Sequence, residues 1–154
     1  MKITPHFSLE EASASDTAKR LDIDNSVPEE LLGNLHKTCE KLEEIRALFN
    51  GLPILVSSFY RCPALNAKVG GAKNSAHMDG RACDFNVKGL EPREVLEKVA
   101  SSKITFDQFI VEQDKRGNEW CHIAVEKDGA EPRNQILYGI KGDTSSSFTR
   151  VERG

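Results

Sequence analysis

Ser75-Ala76-His77-Met78-Asp79-Gly80-Arg81-Ala82-Cys83-Asp84-Phe85-Asn86-Val87 is the stretch whose reading decides the fold. Gly80 offers a turn. Arg81 to Val87 then alternates as a strand does, with Ala82, Asp84 and Asn86 facing one way and Cys83, Phe85 and Val87 the other. The apolar set belongs against a core, so Asp84 is aimed at the opposite face. A carboxylate held by a strand, with a histidine in the turn before it, makes this face the place to look for chemistry.

A second run, Glu119-Trp120-Cys121-His122, supplies the partner. Phe106 to Glu112 reads as a strand, Asp114-Lys115-Arg116-Gly117-Asn118 as a polar turn, and Glu119 to Glu126 as the returning strand of a hairpin. Trp120, His122 and Ala124 share one face of it. If the strands of Asp84 and His122 are neighbours in one antiparallel sheet, His77, Asp84 and His122 meet. Two imidazoles and a carboxylate suit Zn2+, and three ligands leave a fourth position for water, as in catalytic zinc sites. The expectation is therefore a zinc enzyme.

Glu119, three residues before His122, is the candidate general base, with Glu112 across the hairpin turn as its competitor. Arg61 ends the apolar strand Ile54 to Tyr60 and offers a guanidinium fork for a substrate carboxylate or a developing oxyanion. Ser75 could hydrogen-bond the substrate backbone. Trp120 is a candidate substrate contact, although a tryptophan on a strand more often packs. Cys83 and Cys121 fall on the opposite strand face and read as core thiols.

Outward from these runs, Ser8 and Glu11 have the spacing of a capping box at a short first helix. From Pro28, Leu31, Leu32, Leu35, Cys39, Leu42, Ile45 and Phe49 form one helical stripe, closed by Asn50-Gly51 and Pro53. Asn66 to Ser75 has a loop composition, Pro92 to Ala100 a helical one, and Gln135 to Ile140 that of a last strand. Residues 1–142 are expected to form one domain and 143–154 a loose polar tail.

The 154 residues, 38% hydrophobic and 29% charged, fit one water-soluble domain, and no apolar run approaches the ~18 residues of a membrane span. The N-terminus lacks the basic-then-apolar pattern of a secretory signal, so synthesis in the cytoplasm is expected. The four cysteines show no CxxC spacing and are expected as free thiols. A net charge of -3 without basic runs gives no footprint for nucleic acid or an anionic membrane, and a monomer is the simplest expectation.

Taken together, Ser75-x-His77-x-x-Gly80-x-Ala82-x-Asp84 and Glu119-x-x-His122 resemble the signature of the zinc D-Ala-D-Ala carboxypeptidase family, in the superfamily that includes lysostaphin-type enzymes and the Hedgehog domain. The likeness extends to the small single-domain branch common in phages and prophages, through Ser57-Ser58-Phe59-Tyr60-Arg61, Leu65-Asn66, Val69-Gly70-Gly71-Ala72, Phe106-Asp107-Gln108-Phe109-Ile110 and Trp120-Cys121-His122-Ile123. It implies an α+β fold with helices packed on a small central antiparallel sheet. It also implies zinc on His77, Asp84 and His122, with Arg61 and Ser75 at the substrate and Glu119 as catalytic glutamate. Some relatives in this branch lack that glutamate and keep one where Glu112 stands. The implied substrates are peptidoglycan stem peptides, cut by carboxypeptidase or L-Ala-D-Glu-type endopeptidase action in phage or prophage lysis, after release to the wall or from a virion. A cytoplasmic D-Ala-D-Ala dipeptidase and a non-catalytic Hedgehog-like binding module are the alternatives.

Overall fold

Ser8 closes a small hairpin and opens a helix at once. The computed structural model describes residues 1–140 and 148–153. Strands β1 (Lys2–Thr4) and β2 (Phe7–Ser8) pair antiparallel. Ser8 Oγ then accepts from Glu11 N–H at 3.1 Å while Glu11 Oε1 accepts from Ser8 N–H at 3.2 Å, the expected capping box of α1 (Leu9–Ser13). After α2 (Asp16–Arg20) and a 3-10 turn at Glu29–Leu31 comes α3 (Leu32–Leu48), whose Leu35, Cys39, Leu42 and Ile45 are buried. Asn50 and Gly51, both at positive φ, end it as predicted.

Next come β3 (Ile54–Ser58), α4 (Pro63–Lys68), a 3-10 turn at Ala76–Asp79, β4 (Ala82–Val87) and α5 (Pro92–Ala100). The chain continues through β5 (Gln108–Gln113), β6 (Glu119–Ala124), β7 (Gln135–Ile140) and β8 (Thr149–Arg150). The main sheet has the order β3-β4-β6-β5-β7-β8. Its core face carries Cys83, Phe85, Val87, Phe109, Val111, Cys121 and Ile123, which cluster with the inward stripes of α3 and α5. Phe109 stands edge-on to Phe85, with ring centroids 6.1 Å apart. The fold is α+β, as expected. Among the described residues no helix is long and apolar enough to cross a membrane.

Four details differ from the sequence reading. The sheet is not wholly antiparallel, because β7 runs parallel to β5, with Ile110 opposite Leu137. Strand β6 ends with Ala124 opposite Gln108 and β7 begins with Gln135 beside that same residue, so the connection crosses the end of β5 and sets β7 on its far side. The apolar strand expected over Ile54 to Tyr60 is β3, which stops at Ser58 and lies at the sheet edge with Leu55 exposed. The loop read from Asn66 is helical at its start, because Pro63 takes the first turn of α4 and Cys62 Sγ accepts from Leu65 N–H at 3.4 Å. Of the tail, 143–147 and 154 lie outside the described residues. Thr149–Arg150 pairs with β7, Val151 packs on the core, and the Arg153 guanidinium donates to the Val99 and Ser102 carbonyls.

Cys39, Cys83 and Cys121 are fully buried and Cys62 only partly, and all four are free thiols. Burial pushes the Cys39 thiol up to about 12 and raises those of Cys83 and Cys121. Iodoacetamide is accordingly expected to label Cys62 alone in the native protein and all four after denaturation, read by peptide mass; rapid native labelling of Cys83 or Cys121 would contradict this packing.

Candidate metal centre and its cleft

His77 is set by three elements at once. Its 3-10 turn is capped by Ser75, whose Oγ accepts from His77 N–H at 3.2 Å. Gly80 ends the turn at φ 73°, a conformation that favours glycine. From below, Thr38 Oγ1 of α3 donates to the Gly80 carbonyl at 2.8 Å and Asn34 Nδ2 to the Asp79 carbonyl at 3.0 Å. Across the turn, Arg61 N–H donates to the His77 carbonyl, and His77 Nδ1 lies 2.6 Å from the Phe59 carbonyl. That bond requires the proton on Nδ1 and leaves Nε2 with its lone pair directed inward.

Register supplies the other two groups. Strands β4 and β6 pair antiparallel with Asp84 opposite His122, both on the face away from the helices. Asp84 Oδ1 lies 2.8 Å from His122 Nδ1 and 3.3 Å from His77 Nε2, and the imidazoles meet edge to face at 5.3 Å. One donor atom from each of His77, Asp84 and His122 falls within 4.8 Å of the others. His77 Nε2 is buried and makes no hydrogen bond. A deeply buried lone pair without a donor, beside a carboxylate and a second imidazole, fits a divalent cation of the zinc type.

The electrostatics agree. Burial alone would raise the Asp84 carboxyl, but the two imidazoles hold it well below the usual carboxylate range. Burial lowers His77, whereas at His122 the hydrogen bond to Asp84 and the charge of Glu112 outweigh burial and raise it. Protons compete with a cation for His122, so metal affinity is expected to fall as pH drops through the raised His122 value, measurable as zinc Kd against pH.

His77 and His122 open on a cleft of about 590 Å³, with Asp84 behind them. Arg61, Ser75 and Glu112 line it beside the two histidines. Glu112 Oε1 is 3.5 Å from His122 Nδ1. Arg61 is 5% exposed, and its Nε is buried without a hydrogen-bond partner. Burial lowers its pKa, and the nearby charges of Asp84 and Glu112 offset this only in part. Gly71 and Asn66 enclose it: a Cβ at Gly71 would come within 3.0 Å of Arg61 Nη1 and 2.0 Å of Asn66 Oδ1.

Glu119 does not join them. Three residues along a strand invert the face, so Glu119 points to the helix side, away from His122. There it accepts from Tyr138 Oη at 2.8 Å, Arg93 Nη2 at 3.1 Å and Gln113 Nε2 at 3.3 Å. Burial pushes its carboxyl up, but these donors outweigh that and hold it ionised below the usual range. The expected position of Glu119 beside the metal is therefore corrected: the carboxylate at the centre is Glu112, opposite Trp120 in the register and on the His122 face. Period-two counting from His122 on its own strand and through the hairpin to Glu112 carries this signal. Trp120 shares that face of β6 without lining the cleft. The residues missed by sequence reading, Arg133, Leu137 and Phe148, also line it.

The model of one family, described as peptidase M15, matches residues 5–124. The chain belongs to the peptidase M15 family. Membership makes it a peptidase, and M15 peptidases are zinc-dependent, which accords with the donor set of His77, Asp84 and His122. The match spans every element that carries the triad, Arg61 and Glu112, and ends at the last residue of β6. No curated protein matches the sequence.

Proposed function

We propose that this M15 peptidase hydrolyses peptidoglycan stem peptides with zinc held by His77, Asp84 and His122 and with Glu112 as the proton-transferring carboxylate. The observation that carries the reading is the meeting, in one cleft, of the three donor atoms within 4.8 Å, a second carboxylate, and a buried guanidinium with no hydrogen bond at its Nε. Bound zinc supplies Lewis acidity toward water and the scissile carbonyl. Glu112 takes a proton from the attacking water and returns it to the departing amine. Arg61 presents charge where the carbonyl oxygen becomes anionic, or to a substrate carboxylate. Ser75 keeps its O–H free to donate to substrate, since its oxygen already accepts from His77 N–H. The setting that suits this activity is lysis by a phage or prophage, acting on the wall as a monomer after release from the cytoplasm.

Two measurements test it. Metal analysis is expected to find about one zinc per chain, lost in His77→Ala and in His122→Ala; full occupancy in both variants removes the centre. Mass analysis of a muropeptide digest is expected to show loss of a single alanine for a carboxypeptidase or a divided stem for an endopeptidase. Intact muropeptides at every pH, with zinc bound, favour the non-catalytic binding module instead.

A further inference from the structure

The family match ends at Ala124, yet the cleft does not. Strand β7 continues the site face of the sheet, because its parallel register sets Leu137 beside Ile110 and Gly139 beside Glu112. Phe148, immediately before β8, lies over Gly139: a Cβ there would stand 2.4 Å from the Phe148 ring, so glycine leaves the space the ring fills. Pairing of Thr149 with Tyr138 and of Arg150 with Leu137 fixes the chain that carries it. Phe148 is half-buried and lines the cleft with Ile110 and Leu137. Farther along, Arg133 is engaged by Asp107 through bonds of 2.7 and 2.8 Å. This wall therefore offers apolar surface, while Arg61, whose Nε has no hydrogen-bond partner, stands at the metal end.

From this we propose that β7 and Phe148, both outside the family match, build a substrate subsite, in which Phe148 and Leu137 receive the small apolar side chain of an alanyl residue flanking the scissile bond. The inference rests on the stem-peptide reading above. It makes Phe148 a specificity-determining residue and Gly139 its positioning residue, with the wall beside the Glu112 carboxylate and the apolar strip running to Ile110.

The test is calorimetric binding of a stem pentapeptide ending in D-Ala-D-Ala to zinc-loaded protein, in a Glu112→Gln background that slows turnover. Phe148→Ala is expected to weaken binding about three- to tenfold, the scale of an aromatic contact, and Phe148→Leu to weaken it less. Gly139→Ala should weaken binding by displacing the ring, and should add nothing in the Phe148→Ala background. Zinc content and melting temperature report on folding; should Phe148→Ala not fold, Phe148→Leu and Gly139→Ala carry the comparison. Unchanged affinity in these variants overturns the subsite, even if the parent enzyme cuts muropeptides. Phe148-dependent binding without cleavage by the parent enzyme keeps the subsite and overturns the catalytic reading. Absence of any peptide binding overturns both.

Discussion

Glu112→Gln is expected to lower turnover of muropeptides by about 10²- to 10⁴-fold, the usual contribution of a positioned acid-base group, while the protein keeps its zinc and its melting temperature. Glutamine preserves the shape of Glu112 and the hydrogen-bonding reach toward His122 but cannot accept a proton from water. Glu119→Gln is expected to do the reverse, leaving turnover within a few-fold and lowering thermal stability slightly. Its carboxylate ties Arg93 of α5 to Tyr138 and Gln113 on the helix side of the sheet. Arg93 is largely exposed, so solvent screens the ion pair. Because the folded-state pKa of Glu119 is depressed, its stabilisation is present above the ordinary carboxylate value and fades as pH falls through the folded value. The small stability gap between Glu119→Gln and the parent should therefore close in acid. Loss of turnover in Glu119→Gln, with activity kept in Glu112→Gln, would reverse the assignment.

The contrast between these glutamates shows what was legible in the sequence. Alternation from Cys83, Phe85 and Val87 aims Asp84 correctly, and the hairpin turn aims His122, because one buried face specifies register strongly. His77 follows from its distance to Asp84 and the turn at Gly80. The same alternation excludes Glu119 and selects Glu112, but motif spacing taken without strand geometry points to Glu119. Other features are set by distant contacts. Parallel pairing of β7 on β5 has no local signal, since Gln135 to Ile140 would read alike in either direction. Phe148 stands next to a polar, serine-rich stretch, and its seat on Gly139 exists only once β7 is in place. The isolation of Arg61 is likewise tertiary: the sequence shows a strand-end arginine of the kind usually paired at the surface, whereas the fold buries it.

That isolation leads to the second large effect. Arg61→Met is expected to lower turnover by about 10²- to 10³-fold, the range seen when one donor to a developing oxyanion is removed, and yet to leave the melting temperature unchanged or raised. Burying a cation costs several kcal/mol unless hydrogen bonds and counter-charges compensate. Here Nε has no partner, and the attraction of Asp84 and Glu112 does not prevent burial from lowering the pKa. An unbranched thioether fills similar space between Gly71 and Asn66 without that penalty. Bound zinc would strengthen the contrast, since its charge adds a second cation beside the guanidinium until an anion enters the cleft. A buried cation that costs stability and serves the reaction is the trade-off common at active sites, and this pair of measurements tests for it in Arg61. Arg61→Ala with free guanidinium in the assay supplies the discriminating measurement: partial recovery of turnover places the missing charge in the transition state. A drop of several degrees in melting temperature with normal turnover would instead make Arg61 a structural cation, with Asp84 and Glu112 as the charges it serves.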